Sequence, residues 1–421
     1  MKTLRIFFVL VIILAFAFFV ACGGGSSSSS TNSSSSGGGS SSNQVIAASG
    51  PNVASITVDG GPLVTQGEDY VDAAFTSVTV CVPETTTCQT IGGILVDTGS
   101  SGLRILSSAL TLALPQQMSG SNPVVECFPF VSGYTWGPVQ TADVEMASEK
   151  ASAVPLQVLS DTDFSAPSGC TSAGASSDTL ETLGANGIVG VGLFTQDCGT
   201  YCETVQTGNN MNLYYECSST TTCQPIGESL AQQVPNPVTQ FTTDNNGVII
   251  ELPTVPAAGE ASISGSLVFG IGTQTNNALS GATIYTADSG GDFTTTFGSS
   301  TFSASFIDSG SNGLFFPSTI TVCPANSDAP NFYCPSSTES LSATNQGANG
   351  VSGTVNFSIA NAETLFNNGD FAYVNLGGTF SEPTGTTGTA TTFDWGLPFF
   401  FGRNVFTGVQ TTTNAGGYWA Y

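Results

Sequence analysis

Residues 94–105 read ILVDTGSSGLRI: an apolar run, then Asp97, then a turn built from Thr98, Gly99 and Ser100. Taken alone, such a segment is a tight turn, in which Asp bonds its own backbone and Gly supplies a positive φ. The reading changes because the pattern returns. Residues 305–316, SFIDSGSNGLFF, place Asp308, Ser309, Gly310 and Ser311 after another apolar run and before another Gly-Leu. At nearly the same distance behind each Asp stand two apolar residues and a glycine, Ile188-Val189-Gly190 and Phe400-Phe401-Gly402. Four matches in the order A-B-A-B point to two homologous lobes. Asp308 is then the mate of Asp97.

The composition narrows the chemistry. The 421 residues carry 30 acidic side chains against five basic ones, for a formal charge of -25, and contain no His. Beyond Lys2 and Arg5 the only cations are Arg104, Lys150 and Arg403. A surface this poor in cations cannot neutralise phosphates, so neither nucleic acid nor anionic lipid headgroups are expected as partners. Without His, Ser-His-Asp and Cys-His catalysis are excluded. Carboxylates, hydroxyls and thiols remain.

Two carboxyls a hydrogen bond apart cannot both ionise. They share a proton, and one acts as base on a water while the other acts as acid toward a carbonyl. Gly99 and Gly310 lack a Cβ, which lets the two loops approach. Thr98 and Ser309 can donate across the junction, and Ser100 and Ser311 can bond the outer carboxylate oxygens. From Pro51 onward, short runs of Val, Ile, Thr and Phe broken by Gly, Pro, Asn and Asp predict a mostly β chain. The few helix candidates are 226–234 and 363–368.

With both motifs in view, the sequence resembles the pepsin-like aspartic peptidases, with Asp-Thr-Gly-Ser in one lobe and Asp-Ser-Gly-Ser in the other. The tail FFFGRNVF, residues 399–406, is also similar to the Gly-Arg-Asn segment of retroviral relatives. The resemblance covers most of residues 55–410 as an ordered set of motifs. It extends to exported bacterial lipoproteins that carry these motifs, for which peptidase activity is an implication. It implies a bilobed fold of two β-barrel-like lobes with the cleft between them, and Asp97 and Asp308 as catalytic residues. No cofactor or metal is expected. The implied partner is a polypeptide in extended conformation, cleaved by a monomer. Ile188-Val189 and Phe400-Phe401 are expected to pack beneath the Asp strands, as in that family. A flap hairpin is expected over residues 128–144, with Phe130, Gly133 and Tyr134 as candidates for its working tip. Arg104 stands where pepsin relatives tend to have Trp, so a contact that steadies the flap is expected to be missing. Asp143 and Asp394 are read as structural. No basic prosegment is visible in residues 23–50.

Residues 1–21, with a basic start and an apolar run, read as a lipoprotein signal peptide, and the closing FVAC makes Cys22 the acylated residue. Residues 22–50 read as this lipidated Cys and a Ser/Gly tether. The remaining divisions are a first lobe over 51–240 with the flap, inter-lobe strands over 241–272 and a second lobe over 273–421. The expected location is the bacterial envelope, lipid-anchored, most readily at the outer membrane. Ten further cysteines in an exported chain read as disulfides. Spacing suggests Cys81–Cys88, Cys217–Cys223 and Cys323–Cys334 and leaves the others open, with a metal site at Cys198, Cys202, Cys217 and Cys223 as the competing idea. Alternatives to a peptidase are a two-lobed peptide- or polymer-binding protein without turnover and a carboxylate-based glycosidase.

Overall fold

The computed structural model describes residues 46–421 except 48, 67–69, 132, 161–162, 209 and 381–390. The signal peptide, Cys22 and most of the tether lie outside the described residues. The tether as read is slightly too long. Ala47 is already docked, its N–H donating to the Glu251 carboxylate at 2.7 Å and its carbonyl accepting from Ser266 Oγ at 2.5 Å.

Strands dominate, and their burial follows their sequence. Val53–Val58 alternates, with Ala54, Ile56 and Val58 buried and the residues between them more exposed, the period of a strand with one face on a core. The strand carrying the first Asp, Cys88–Asp97, ends instead in a continuous buried run from Ile94 to Asp97. Parallel pairing explains the run. This strand lies beside Gly187–Val191 with Leu95 opposite Ile188, Val96 opposite Val189 and Asp97 opposite Gly190, and strands covered on both faces need apolar residues at every position.

One large sheet begins at Thr222–Pro225 and Tyr214–Ser219, takes in the Asn122–Phe130 and Gly133–Met146 hairpin and crosses the first lobe. It continues through Val53–Val58, Ile263–Phe269, Gly247–Leu252 and Arg403–Gly408 to the C-terminal strand Tyr418–Ala420. Segments from both chain ends and the middle therefore share one sheet between the lobes. The second lobe has its own seven-stranded sheet, which includes the second Asp strand, Ser300–Ile307. Beneath it lies an aromatic cluster: Phe316 stacks on Phe393 at 4.6 Å and Phe393 on Trp395 at 4.4 Å between ring centroids. The fold is mostly β and two-lobed, the pepsin-like arrangement that the repeated motif implies.

The helix at 363–368 forms, as Ala362–Phe366, capped by Asn361. The one expected over 226–234 does not. Tertiary bonds take its polar groups: Glu228 N–H donates to Cys202 O at 2.7 Å, and Gln233 Nε2 to Gly199 O and Glu228 O at 2.8 Å each. Pro235 follows immediately, and the residue before a proline is pushed out of helical conformation.

Five disulfides form. Cys81–Cys88, Cys217–Cys223 and Cys323–Cys334 are those suggested by spacing, and Cys127–Cys170 and Cys198–Cys202 complete the set. The four cysteines of the competing metal site are thus consumed in two disulfides. Such bonds suggest an exported chain, because disulfides form and persist chiefly in oxidising compartments. No helix of the described residues is long and apolar enough to cross a membrane.

Candidate active site

The two Asp loops meet at the junction of the lobes and are laced together by reciprocal bonds. Thr98 N–H donates to Ser309 Oγ at 3.1 Å, and Ser309 N–H donates to Thr98 Oγ1 at 2.9 Å. Each hydroxyl then donates to the carbonyl before the opposite Asp strand ends, Thr98 to Ile307 at 3.0 Å and Ser309 to Val96 at 2.7 Å. All four donors and acceptors are buried, so each bond made here avoids the penalty of an unpaired group.

Each Asp is held in the same way by its own loop. Asp97 Oδ1 accepts from Gly99 N–H at 2.7 Å and Ser100 N–H at 3.0 Å, and Asp97 Oδ2 accepts from Ser100 Oγ at 2.6 Å. Asp308 Oδ1 accepts from Gly310 N–H at 2.7 Å, and Asp308 Oδ2 from Ser311 Oγ at 2.9 Å. Gly99 N–H also reaches across to Asp308 Oδ1 at 3.1 Å. The glycines are sterically required. A Cβ on Gly99 would lie 2.6 Å from the Asp308 carboxyl carbon, and one on Gly310 would lie 2.9 Å from that of Asp97.

Both aspartates are fully buried. Burial raises the Asp97 carboxyl above its ordinary range against the pull of the Ser100 and Gly99 bonds. Asp308 is raised well above that range, by burial first and then by the charges of Asp97 and Asp394. Two interacting carboxyls titrate as a pair and hold a proton between them where isolated ones would have lost it.

Beside the first Asp strand the structure places Ile188, Val189 and Gly190, opposite Leu95, Val96 and Asp97. Beside the second it places Asp394, Trp395 and Gly396, not Phe400, Phe401 and Gly402. Phe306 lies opposite Asp394 and Ile307 opposite Trp395, in parallel, and a Cβ on Gly396 would come within 2.5 Å of Ser311 O. Phe400 and Phe401 pack in the core, Phe401 bridges Leu252, and Gly402 turns the chain with φ 75 into Arg403–Gly408. The Gly-Arg-Asn tripeptide accordingly opens a strand of the inter-lobe sheet. The misreading has a simple origin: the true counterpart carries an acid where the pattern demands an apolar residue.

Residues 128–144 fall in the antiparallel strands Asn122–Phe130 and Gly133–Met146, and the aromatics of this hairpin divide. Phe130 packs in the cluster that contains Tyr70, Phe75 and Leu95, whereas Tyr134 packs on another side with Trp136, Cys170 and Tyr215. Gly133 lies against the segment after the short helix Ser168–Thr171, where a Cβ would strike Ala175 O, and Cys127–Cys170 ties the hairpin to that helix. The phenol nearest the aspartates in electrostatic terms is Tyr70. Burial first, then the charges of Asp308 and Asp97, push its ionisation up. No motif marks Tyr70, since it sits in the connection between two strands of the first lobe.

Arg104 overturns the expectation of an unsupported flap. Its guanidinium is fully buried, donates to Glu126 at 2.8 Å and Asp197 at 3.0 Å, and lies 3.7 Å from the centre of the Phe128 ring. Glu126 and Phe128 belong to the flap strand, so a buried ion pair and a cation–π contact hold it. Burial opposes the charge on Arg104, yet Glu126 and Asp197 keep it above its ordinary value. Asp143 binds Lys150 Nζ at 3.0 Å and Ala153 N–H at 2.9 Å, far from such a role.

The family described as "Protein of unknown function (DUF3443)" matches residues 48–421. Among solved structures, the crystal structure of aspartic proteinase from Irpex lacteus is similar, with a TM-score of 0.49 and 16% sequence identity over 87% of this chain and 96% of that chain. No curated protein matches.

Proposed function

The chain belongs to the DUF3443 family, and we propose that it is an aspartic endopeptidase that hydrolyses peptide bonds with a water activated between Asp97 and Asp308. One observation carries this reading: the two loops are cross-bonded so that each Asp is held by its own loop and Gly99 N–H touches both carboxyls. In the reaction the ionised member of the pair takes a proton from the water as it attacks the peptide carbonyl. The protonated member supports the developing oxyanion and later supplies the proton for the leaving amine. The serine and glycine donors keep the carboxyl planes fixed through both steps. The substrate is a polypeptide in extended conformation, lying between the lobes under the hairpin. Both carboxyls are closed off from solvent, so its entry requires an opening motion.

That closure favours a second reading, a protein that binds peptides or polymers in the cleft without turnover. Digestion of an unfolded protein by the full chain, from acid to neutral pH, separates the two. Acid-favoured cleavage that falls at least about a hundredfold in both Asp97→Asn and Asp308→Asn is the expected result. Cleavage surviving either change refutes the dyad; none by the folded wild type favours the binding protein. We also assign an envelope location, anchored by lipid on Cys22, which the cysteine at the end of the apolar start and the five disulfides support. Cys22→Ser should then move the protein from the membrane fraction to the soluble one.

A further inference from the structure

Asp394 occupies, in the second lobe, the place that Ile188 has in the first. Leu95 lies opposite Ile188 and Phe306 opposite Asp394, each two residues ahead of its catalytic Asp. An apolar residue would serve for packing there, as it does in the other lobe. Instead a carboxyl is buried to 1% exposure, hydrogen-bonded to the Ser311 side chain, with Oδ1 meeting no partner among the described residues.

Ser311 is also the donor to Asp308 Oδ2. A hydroxyl has one proton to donate, and here it stands between two carboxyls. If that proton goes to Asp308, the bond to Asp394 exists only with Asp394 protonated and donating. If Asp308 carries the proton instead, Ser311 turns toward Asp394 and the outer oxygen of Asp308 loses its donor. The first arrangement suits the surroundings of Asp394 better. An ionised carboxylate with a bare oxygen in a closed interior is strongly disfavoured. Among the described residues nothing packed against it supplies a positive charge: Ser300–Ile307 and Leu314–Phe315 contain no ionisable residue, and the charged groups that face it are Asp308 and Asp97. Burial first and then the charge of Asp97 hold its carboxyl well above the usual range, with the Ser311 bond opposing.

We propose that Asp394 is a third carboxyl of the centre, a positioning residue that retains a proton and, by donating it to Ser311 Oγ, aims the Ser311 hydroxyl at Asp308 Oδ2. The proposal rests on the peptidase reading of Asp97 and Asp308 and adds a limit to it. When rising pH removes the proton from Asp394, one hydroxyl proton faces two anions, and Asp308 loses its fixed donor. Cleavage then declines on the alkaline side for a reason separate from the dyad itself.

Two substitutions in the full chain test this. Asp394→Asn keeps a donor toward Ser311 and cannot ionise; Asp394→Leu supplies the shape found in the first lobe and no donor. Asp394→Asn is expected to keep kcat at acid pH within about threefold while its alkaline half-point rises by roughly half a pH unit or more. Asp394→Leu should lose about tenfold or more in kcat at nearly unchanged KM. Infrared spectroscopy at neutral pH supplies a readout that needs no turnover: the carbonyl band of protonated carboxyls should shrink in Asp394→Asn. Identical pH profiles and bands in wild type and Asp394→Asn would overturn the proposal, as would equal damage from both substitutions. Cleavage with an unchanged band sinks the Asp394 proposal alone. A band that shrinks in Asp394→Asn, beside a folded wild type that cleaves nothing, sinks the peptidase reading and supports the proton on Asp394. Should Asp394→Leu not fold, Ser311→Ala serves instead, since the alkaline shift caused by Asp394→Asn must vanish once the connecting hydroxyl is gone.

Discussion

The buried acids beside the hairpin and those of the paired loops are kept in place by opposite means. In the first lobe Glu126 and Asp197 share the guanidinium of Arg104, and Tyr214 adds a hydroxyl at 2.9 Å to Asp197. At the paired loops, Asp97, Asp308 and Asp394 have hydroxyl and backbone donors and, among the described residues, no cation. The chain has few cations to place, and it commits one of them to the hairpin strand that carries Glu126. At the reacting centre a fixed cation would hold the carboxyls ionised, which is incompatible with a shared proton. The difference teaches that an interior acid can be matched by an opposite charge or kept neutral by its own proton, and that only the second choice leaves a proton for acid–base work.

The broadest effect expected from this contrast is on pH stability. Burial raises Asp72, Asp97, Asp197, Asp308 and Asp394 above the ordinary carboxylate value in the folded state. Between the unfolded value of about 4 and the raised folded values, the native state binds more protons than the unfolded one, so stability falls as pH rises. Thermal unfolding should therefore give its highest Tm in acid, with a decline toward neutral pH. A Tm that climbs from acid to neutral would break the comparison.

Arg104→Met comes next. It leaves Glu126 and Asp197 buried without their cation and should cost about 3–5 kcal/mol in denaturant unfolding. Because buried Asp197 then survives best in protonated form, the loss should be smaller in acid, and a pH-independent loss would deny the ion pair its role.

Gly99→Ala and Gly310→Ala sharpen the symmetric part of the site. Each Cβ would meet the opposite carboxyl, so the carboxyls must separate, and cleavage should fall about a hundredfold or more while the fold persists. Activity within twofold of wild type in either would show that close approach of the loops is dispensable. The smallest effect is expected from Thr98→Val and Ser309→Ala, at about 1–3 kcal/mol each. Their bonds are reciprocal, so the double variant should cost less than the two losses added, and full additivity would show the bonds to be independent.

The symmetric part of the site was legible in the sequence because repetition and local chemistry coincide there. Asp, Gly and Ser in each loop bond within three residues, and that spacing is visible in a string. The supports beneath the loops were legible only where they kept their pattern. Ile188-Val189 did; Asp394-Trp395 did not, and Phe400-Phe401-Gly402 imitated it while serving the inter-lobe sheet. Arg104 was visible, yet its partners Glu126 and Asp197 lie 22 and 93 residues away, and nothing local links them. Tyr70 and the Cys127–Cys170 disulfide, its ends 43 positions apart, belong to the same class, whereas Cys198 and Cys202 stand only four apart.

By itself, then, the sequence determined the mostly β character, the two-lobed repeat, three of the disulfides and the two aspartates with their glycines and hydroxyls, because alternation, turn chemistry and close spacing act over a few residues. The tertiary structure alone decided the acid at Asp394 beneath the dyad, the ion pair at Arg104, the influence of both aspartates on the Tyr70 phenol and the burial of both carboxyls. Those depend on which distant strands become neighbours, and a buried charge or proton has its energy set by neighbours that no local pattern records.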